Sequence, residues 1–232
     1  MFGNNFGRTS TPVTTNIIII NCLMLAATYV LGLKGFDLDR WFALHYFDAD
    51  LYSPLQMITY MFMHANVEHL FFNMLSLFFI GRIIEMTWGP QRFLIYYLVC
   101  GVGAAITQQL FWRYGFIGSW LSEIQLHDPS VTYGQLLEHG MATFNQLVTV
   151  GASGSVFGIL LAFGMLYPEQ HVYFYFVIPI KAKYFVIGYG LIELFAGVAG
   201  TTGDNIAHFA HLGGMIFGLL LILWWRKVNS EQ

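Results

Sequence analysis

The chain has 232 residues, of which 56% are hydrophobic and only 10% charged, where a soluble domain carries about 25% charged residues. So little charge cannot cover a water-facing surface, and the apolar residues come in long runs, which excludes a soluble domain and indicates an integral membrane protein. The net charge of −3 leaves no basic surface for nucleic acid, and the segments of about 10 residues with alternating polarity that mark a β-barrel are absent.

At about 20 residues per span plus loops, this length allows roughly five to seven helices. Six are predicted, over about 16–33, 66–87, 92–112, 152–167, 181–200 and 205–225. The first apolar run, from Asn16 to about Leu33, exceeds a signal-peptide core of roughly 7–15 residues and is expected to be retained. Residues 34–65 are too polar to span, yet carry Trp41, Phe42, Tyr46, Phe47 and Tyr52; they read as an interfacial loop lying on the membrane. Residues 113–150 form a second long excursion, with Glu123, Asp128 and Glu138, part of it expected as an amphipathic surface helix. No internal repeat, low-complexity tract or separate soluble domain is seen, so 1–232 reads as one membrane domain. Cys22 and Cys100 both lie in apolar runs and read as small buried hydrophobes rather than a disulfide.

Basic residues orient the spans. Arg8, Arg82, Arg92, Lys181, Lys183, Arg226 and Lys227 share one side if both termini are cytoplasmic, against Lys34, Arg40 and Arg113 on the other. Seven against three predicts both termini inside.

Polar residues within spans are costly and each needs a reason. With this topology His69 and Asn73 lie in the outer half of span two, four apart and on one face. Ser153 lies near the outer end of span four. His211 lies roughly 10 Å below the outer end of span six, at about 1.5 Å per residue. His211 shares a face with Gly214 and Gly218, and Gly154, Gly158 and Ala162 make a matching seam on span four. Two such seams let backbones approach closely, close enough for Ser153 Oγ to reach an imidazole. Taken singly, Gly151-Ala-Ser-Gly154, a membrane histidine or a small-residue stripe is ordinary packing. The conjunction at one depth is what points to a site. Glu85 reads as structural, capping or pairing with Arg82 or Arg92. Glu193 has no assigned partner, and His208 reads as a hydrogen-bonded neighbour that competes with His211 for the role of base. His45, His127, His139 and His171 read as solvated loop residues.

These residues together resemble the rhomboid family of intramembrane serine proteases. The motifs that carry the resemblance are His64-x4-His69-x3-Asn73, Gly151-Ala152-Ser153-Gly154 and Ala210-His211-Leu212-Gly213-Gly214-x3-Gly218, with Gly81-Arg82-Ile83-Ile84-Glu85 and Trp88-Gly89-Pro90-Gln91-Arg92-Phe93 between them. It covers about residues 16–225. It implies an all-α fold with a six-helix core, and a Ser–His dyad with no acidic third member: Ser153 as nucleophile and His211 as general base. It further implies an oxyanion hole of His69, Asn73 and the backbone N–H of Ser153, with His64 ordering the site and its water. The fifth span or the 201–204 loop would gate entry. Many members carry tyrosine where this chain has Phe157; the ring can still stack on the base. The 113–150 connection looks long for a simple bacterial member.

The expected partners are single-span transmembrane substrates and membrane lipid, with no cofactor and no metal. The expected location is a bacterial cytoplasmic membrane, with the site opening to the outer side. One rival is a zinc protein using His64, His69, His208 and His211 with Glu68, but the spacings do not match His-Glu-x-x-His and Gly151 is then unexplained. A catalytically silent scaffold binding transmembrane helices is a second; such proteins typically lose the Ser or the His, and both are present. A small transporter is a third, and no inverted repeat supports it.

Overall fold

The computed structural model describes residues 10–174, 177–199 and 205–230. It is an all-α bundle. Helix α1 spans Pro12–Gly32. The next segment folds as α2 (Asp39–Phe42), a two-residue strand β1 (Leu44–His45), α3 (Gln56–Thr59) and a 3₁₀ turn over Tyr60–Phe62. Helix α4 (Val67–Ser76) runs through a π turn at Leu77–Gly81 into α5 (Arg82–Trp88). Gly89 (φ 82°) and Pro90 then turn the chain into α6 (Pro90–Leu110). A second π turn, Phe111–Phe116, joins α6 to α7 (Ile117–His127), followed by α8 (Tyr133–Phe144) and strand β2 (Val148–Thr149). Helix α9 (Ser153–Leu166), the hairpin β3 (His171–Phe174) with β4 (Ile178–Lys181), α10 (Ala182–Ala199) and α11 (Asn205–Ser230) complete the chain.

Among the described residues, four helical stretches are long and apolar enough to cross a membrane: Pro12–Gly32, Val67–Trp88, Pro90–His127 and His208–Val228; Ser153–Leu166 is a shorter apolar helix. Helices α6, α9 and α11 pack against one another and form the centre. Helix α9 is buried on nearly every side from Gly154 to Gly164. Its 14 residues rise about 21 Å, less than a hydrocarbon core of about 30 Å. Non-helical backbone at such depth survives only where it is buried in protein or lines a wet cavity. Here the connection into α9 is held by pairing of β1 with β2, Leu44 opposite Thr149, and by the Gly151 N–H donating to the Tyr60 carbonyl at 2.9 Å.

The third span differs from its expected end near residue 112. The helix continues unbroken, apart from the π turn, to His127, and so is too long to lie wholly within an apolar layer. The rest of the 113–150 excursion is ordered by a capping box at Thr132 and Gln135, which starts α8. Tyr133 on α8 reaches Tyr46 (2.8 Å) and Asp48, and the Arg113 guanidinium lies 3.6 Å over the Tyr133 ring. Asp50 and Asn145 pair across the same seam. The two excursions therefore brace each other, a contact between loops that no local pattern announces. Tyr46 is wholly buried, against Trp112 and Phe144, while Trp41 and Phe47 stay exposed.

Two smaller expectations are corrected. Cys22 is exposed on the outward face of α1, and only Cys100 is buried. His45 is not solvated: it is 3% exposed, with Nδ1 3.1 Å from the Ala43 carbonyl, because β1 is pinned under Gln109 and Gln56. His127, His139 and His171 are exposed as expected, but they stand on elements rather than in loops: His127 ends α7, His139 lies within α8 and His171 opens β3. The approach to the fifth span is a β-hairpin whose base carries Glu169, accepting from Lys181 (2.7 Å) and Lys183.

Glu85 is 1% exposed and caps rather than pairs with arginine. Its carboxylate accepts from Val13 N (3.0 Å), Thr14 N (2.7 Å) and Thr14 Oγ1 (2.6 Å). The two backbone N–H groups are first-turn donors of α1 with no intrahelical acceptor, and Arg82 Nε donates instead to Thr11 Oγ1 at 3.1 Å. Glu85→Ala is expected to destabilise the bundle by roughly 2–4 kcal/mol, since it strands buried donors. A lowered thermal midpoint in detergent, with unchanged helical content at low temperature, is the result to look for.

Candidate active site

The starts of α4 and α9, the second turn of α11 and the turn at Gly151 converge on one point. Ser153 is the first residue of α9, so its backbone N–H and the two that follow have no acceptor within the helix. Ahead of it, Gly151 adopts φ 131°, a conformation open to glycine and strained for other residues. A side chain there would meet the His69 ring at 2.7 Å. Gly151 thus serves both the turn and the close seating of His69.

Ser153 Oγ lies 2.9 Å from His211 Nε2. The glycine seams bring this about. A Cβ on Gly214 would collide with the Gly154 carbonyl oxygen, and one on Gly158 would sit 3.1 Å from the Gly214 carbonyl and run into Cys100. Gly218 lies against the Tyr96 hydroxyl and Cys100 Sγ. Tyr96 Oη donates to the Gly158 carbonyl at 2.7 Å, which locks α6 to α9 at the same level. Phe157, one turn below Ser153, stacks on the His211 ring with centroids 4.2 Å apart and planes 6° apart. On its other face Phe157 stacks on Tyr189 of α10, with centroids 5.0 Å apart.

His69 and Asn73 sit on α4, whose start is capped by Asn66 Oδ1 accepting from the His69 N–H at 2.8 Å. The Asn73 amide donates to the His69 carbonyl at 3.1 Å, which engages one of its two N–H donors. The His64 ring is buried, with its centroid 5.0 Å from that of His69. Burial, and next the His69 ring beside it, lower the His64 pKa to about 3, so His64 is neutral at ordinary pH. The structure brings Ser153, His211, Phe157, Gly151 and His69 together, with Asn73 one turn below His69.

One member was not foreseen. Glu193 on α10 is 5% exposed, and its Oε2 lies 2.9 Å from His211 Nδ1 and 2.6 Å from His208 Nδ1. Glu193, which the sequence left without an assigned partner, thus has two, and a carboxylate stands beside the imidazole of a pair for which the resemblance implied no acidic third member. The signal was present, since a carboxylate inside an apolar span calls for a partner. The facing of two separate helices, however, is not readable from either one. Glu193, His208 and His211 offer donor atoms within 4.8 Å of one another and are the group among the described residues able to hold a divalent cation. That set is not the His64, His69, His208, His211 and Glu68 combination of the zinc alternative.

A protein-family model described as a rhomboid domain matches residues 52–227. The chain is 31% identical over 180 residues to the rhomboid protease AarA of Providencia stuartii, covering 74% of this chain and 56% of the relative. It is 30% identical over 182 residues to the mitochondrial RHOMBOID-like protein 12 of Arabidopsis thaliana, covering 76% and 47%. It is 22% identical over 223 residues to the rhomboid protease GlpG of Yersinia pseudotuberculosis, covering 95% and 65%. The chain spans about half the length of the first two.

Proposed function

The chain belongs to the rhomboid family, and from that premise we propose that it is an active intramembrane serine protease, cutting peptide bonds in or near the transmembrane helices of single-span proteins. The observation that carries this reading is the 2.9 Å contact between Ser153 Oγ and His211 Nε2 at the buried end of a short central helix. A serine hydroxyl is a poor nucleophile until a base takes its proton, and neutral imidazole is suited to do so near neutral pH. As Ser153 Oγ attacks the scissile carbonyl carbon, its proton passes to His211 Nε2. The resulting oxyanion is met by the backbone N–H of Ser153, which the helix start leaves free, and by side-chain N–H groups of His69 and Asn73. One such donor is commonly worth about 10²–10³ in rate. His211 then returns the proton to the leaving amine, and water repeats the cycle on the acyl-enzyme. Phe157 holds the imidazole plane throughout.

The substrate follows from the depth of the site. A peptide bond inside a stable helix is shielded, so the preferred substrate is a helix whose outer part unwinds readily at Gly, Pro or small residues. The proposed setting is a bacterial cytoplasmic membrane, with both termini inside and the site open to the outer side. The fifth helix or the 201–204 connection, the latter outside the described residues, would admit substrate. The purified chain in detergent or liposomes should be labelled at Ser153 by a serine-directed phosphonate and should cleave members of a panel of single-span helices. A chain that takes up no label and cuts none of the panel would instead be a silent scaffold that binds helices.

A further inference from the structure

We infer that Glu193 completes a Ser153–His211–Glu193 relay, acting as the positioning residue that fixes the tautomer and plane of the base. The inference rests on the protease reading above and departs from a two-residue mechanism. Three observations carry it. Glu193 Oε2 lies 2.9 Å from His211 Nδ1, on the opposite side of the ring from the 2.9 Å contact to Ser153 Oγ. The carboxylate comes from α10, a different helix from either dyad member, and is buried. The ring it addresses is already clamped face to face by the stack with Phe157.

The chemistry follows from donor and acceptor capacity. A carboxylate only accepts, so Nδ1 of His211 carries the proton that faces it. Neutral imidazole has one N–H, so Nε2 is then the lone-pair nitrogen, the one set against Ser153 Oγ–H. The serine proton moves to Nε2, the Nδ1 proton stays on the ring, and the imidazolium faces an unprotonated carboxylate. No other charge need move. The same Oε2 also receives His208 Nδ1 at 2.6 Å, which anchors the carboxylate from the preceding turn of α11. The groups around His211 are then Ser153 and Phe157 from α9, Glu193 from α10 and His208 from α11. Glu193 is the acidic one among them, so the tautomer is set by it alone. His208 holds the carboxylate, and no described bond joins it to Ser153.

The test uses the full chain in detergent against a cleaved single-span substrate. Glu193→Gln keeps the shape and removes the charge. It is expected to lower kcat about 10²-fold or more, with KM within about twofold and the thermal midpoint nearly unchanged. Phosphonate labelling of Ser153 should slow in parallel. Glu193→Asp should recover part of the loss. In ¹⁵N-histidine-labelled protein, a low-field Nδ1–H resonance assigned to His211 is expected in the wild type and in Ser153→Ala, and is expected to vanish in Glu193→Gln. An active wild type matched in kcat by Glu193→Gln overturns the inference and leaves the protease reading standing. If Glu193→Gln does not fold, the wild-type resonance decides, and its absence overturns the inference. A wild type with the resonance but no turnover overturns the protease reading instead, and with it any relay in catalysis.

Discussion

Ser153→Ala is expected to lower cleavage of a single-span substrate by at least about 10³-fold, and His211→Ala to do the same, with the double replacement no worse than either. The non-additivity is the informative part. Among the described residues, Oγ and Nε2 meet only each other, across 2.9 Å, so once one is gone the other has no catalytic role left to lose. The residue of activity would come from the oxyanion donors at the start of α9 and from substrate binding. For Ser153→Ala stability should barely move, because the lost contact is one hydrogen bond worth about 1 kcal/mol, whereas His211→Ala also gives up the bond to Glu193 and the stack on Phe157 and should lower the thermal midpoint. Cleavage in proteoliposomes, scored beside phosphonate labelling, measures both effects. His208→Ala is the contrast: its bond is to Glu193, not to serine, so it should keep turnover within about tenfold of wild type. Equal cleavage by wild type and Ser153→Ala defeats the assignment of the nucleophile. A silent His208→Ala with an active His211→Ala moves the base one turn up α11.

Much of this site was legible in the sequence because its parts are local motifs on helices whose depth the basic residues set. Gly151-Ala-Ser-Gly154 marks a helix start, and Gly214-x3-Gly218 marks a close approach; only the pairing of the two seams needed inference. Phe157 was placed under the imidazole by the resemblance, since it stands where many members of the family carry tyrosine. What was not legible is relational. Glu193 stands out as a carboxylate in an apolar run, but its partner is fixed by the rotation of α10 about its own axis, and a weakly amphipathic helix does not report that angle. The embrace of the two excursions, through Tyr46, Asp48, Arg113 and Tyr133, joins residues some 85 positions apart and is likewise invisible to periodicity. The run of α6 into α7 was missed for another reason. Arg113 and Tyr114 look like the rim of a span, yet the π turn at Phe111–Phe116 lets the helix absorb them and continue.

Gly214→Ala is expected to lower turnover by about 10²-fold or more and to reduce the thermal midpoint by several degrees, although alanine is the better helix former by about 1 kcal/mol. The reason is that the added carbon has nowhere to go. It would fall on the carbonyl oxygen of Gly154 and lie 2.7 Å from the carbonyl carbon and 3.1 Å from the Cα. These are backbone atoms of a helix buried on nearly every side, so no rotamer change can make room. Helices α9 and α11 must part by an ångström or so, at a cost of about 1–3 kcal/mol in overpacking. Ser153 lies just before Gly154, and His211 one turn before Gly214, so the parting acts directly on the 2.9 Å contact. A misplacement of about 1 Å at a reacting pair can cost about 10²-fold. Gly188→Ala is the control: on α10 a new Cβ meets nothing within 4 Å, so helix propensity alone acts, and activity should hold while stability stays level or rises slightly. Gly190→Ala is intermediate, because the Met215 Cε it would meet at 3.3 Å ends a flexible side chain that can turn aside. Cleavage rates and thermal midpoints for the three variants in one detergent give the ordering. A Gly214→Ala protein as stable and as active as Gly188→Ala would mean that the two seams do not set the distance between serine and histidine.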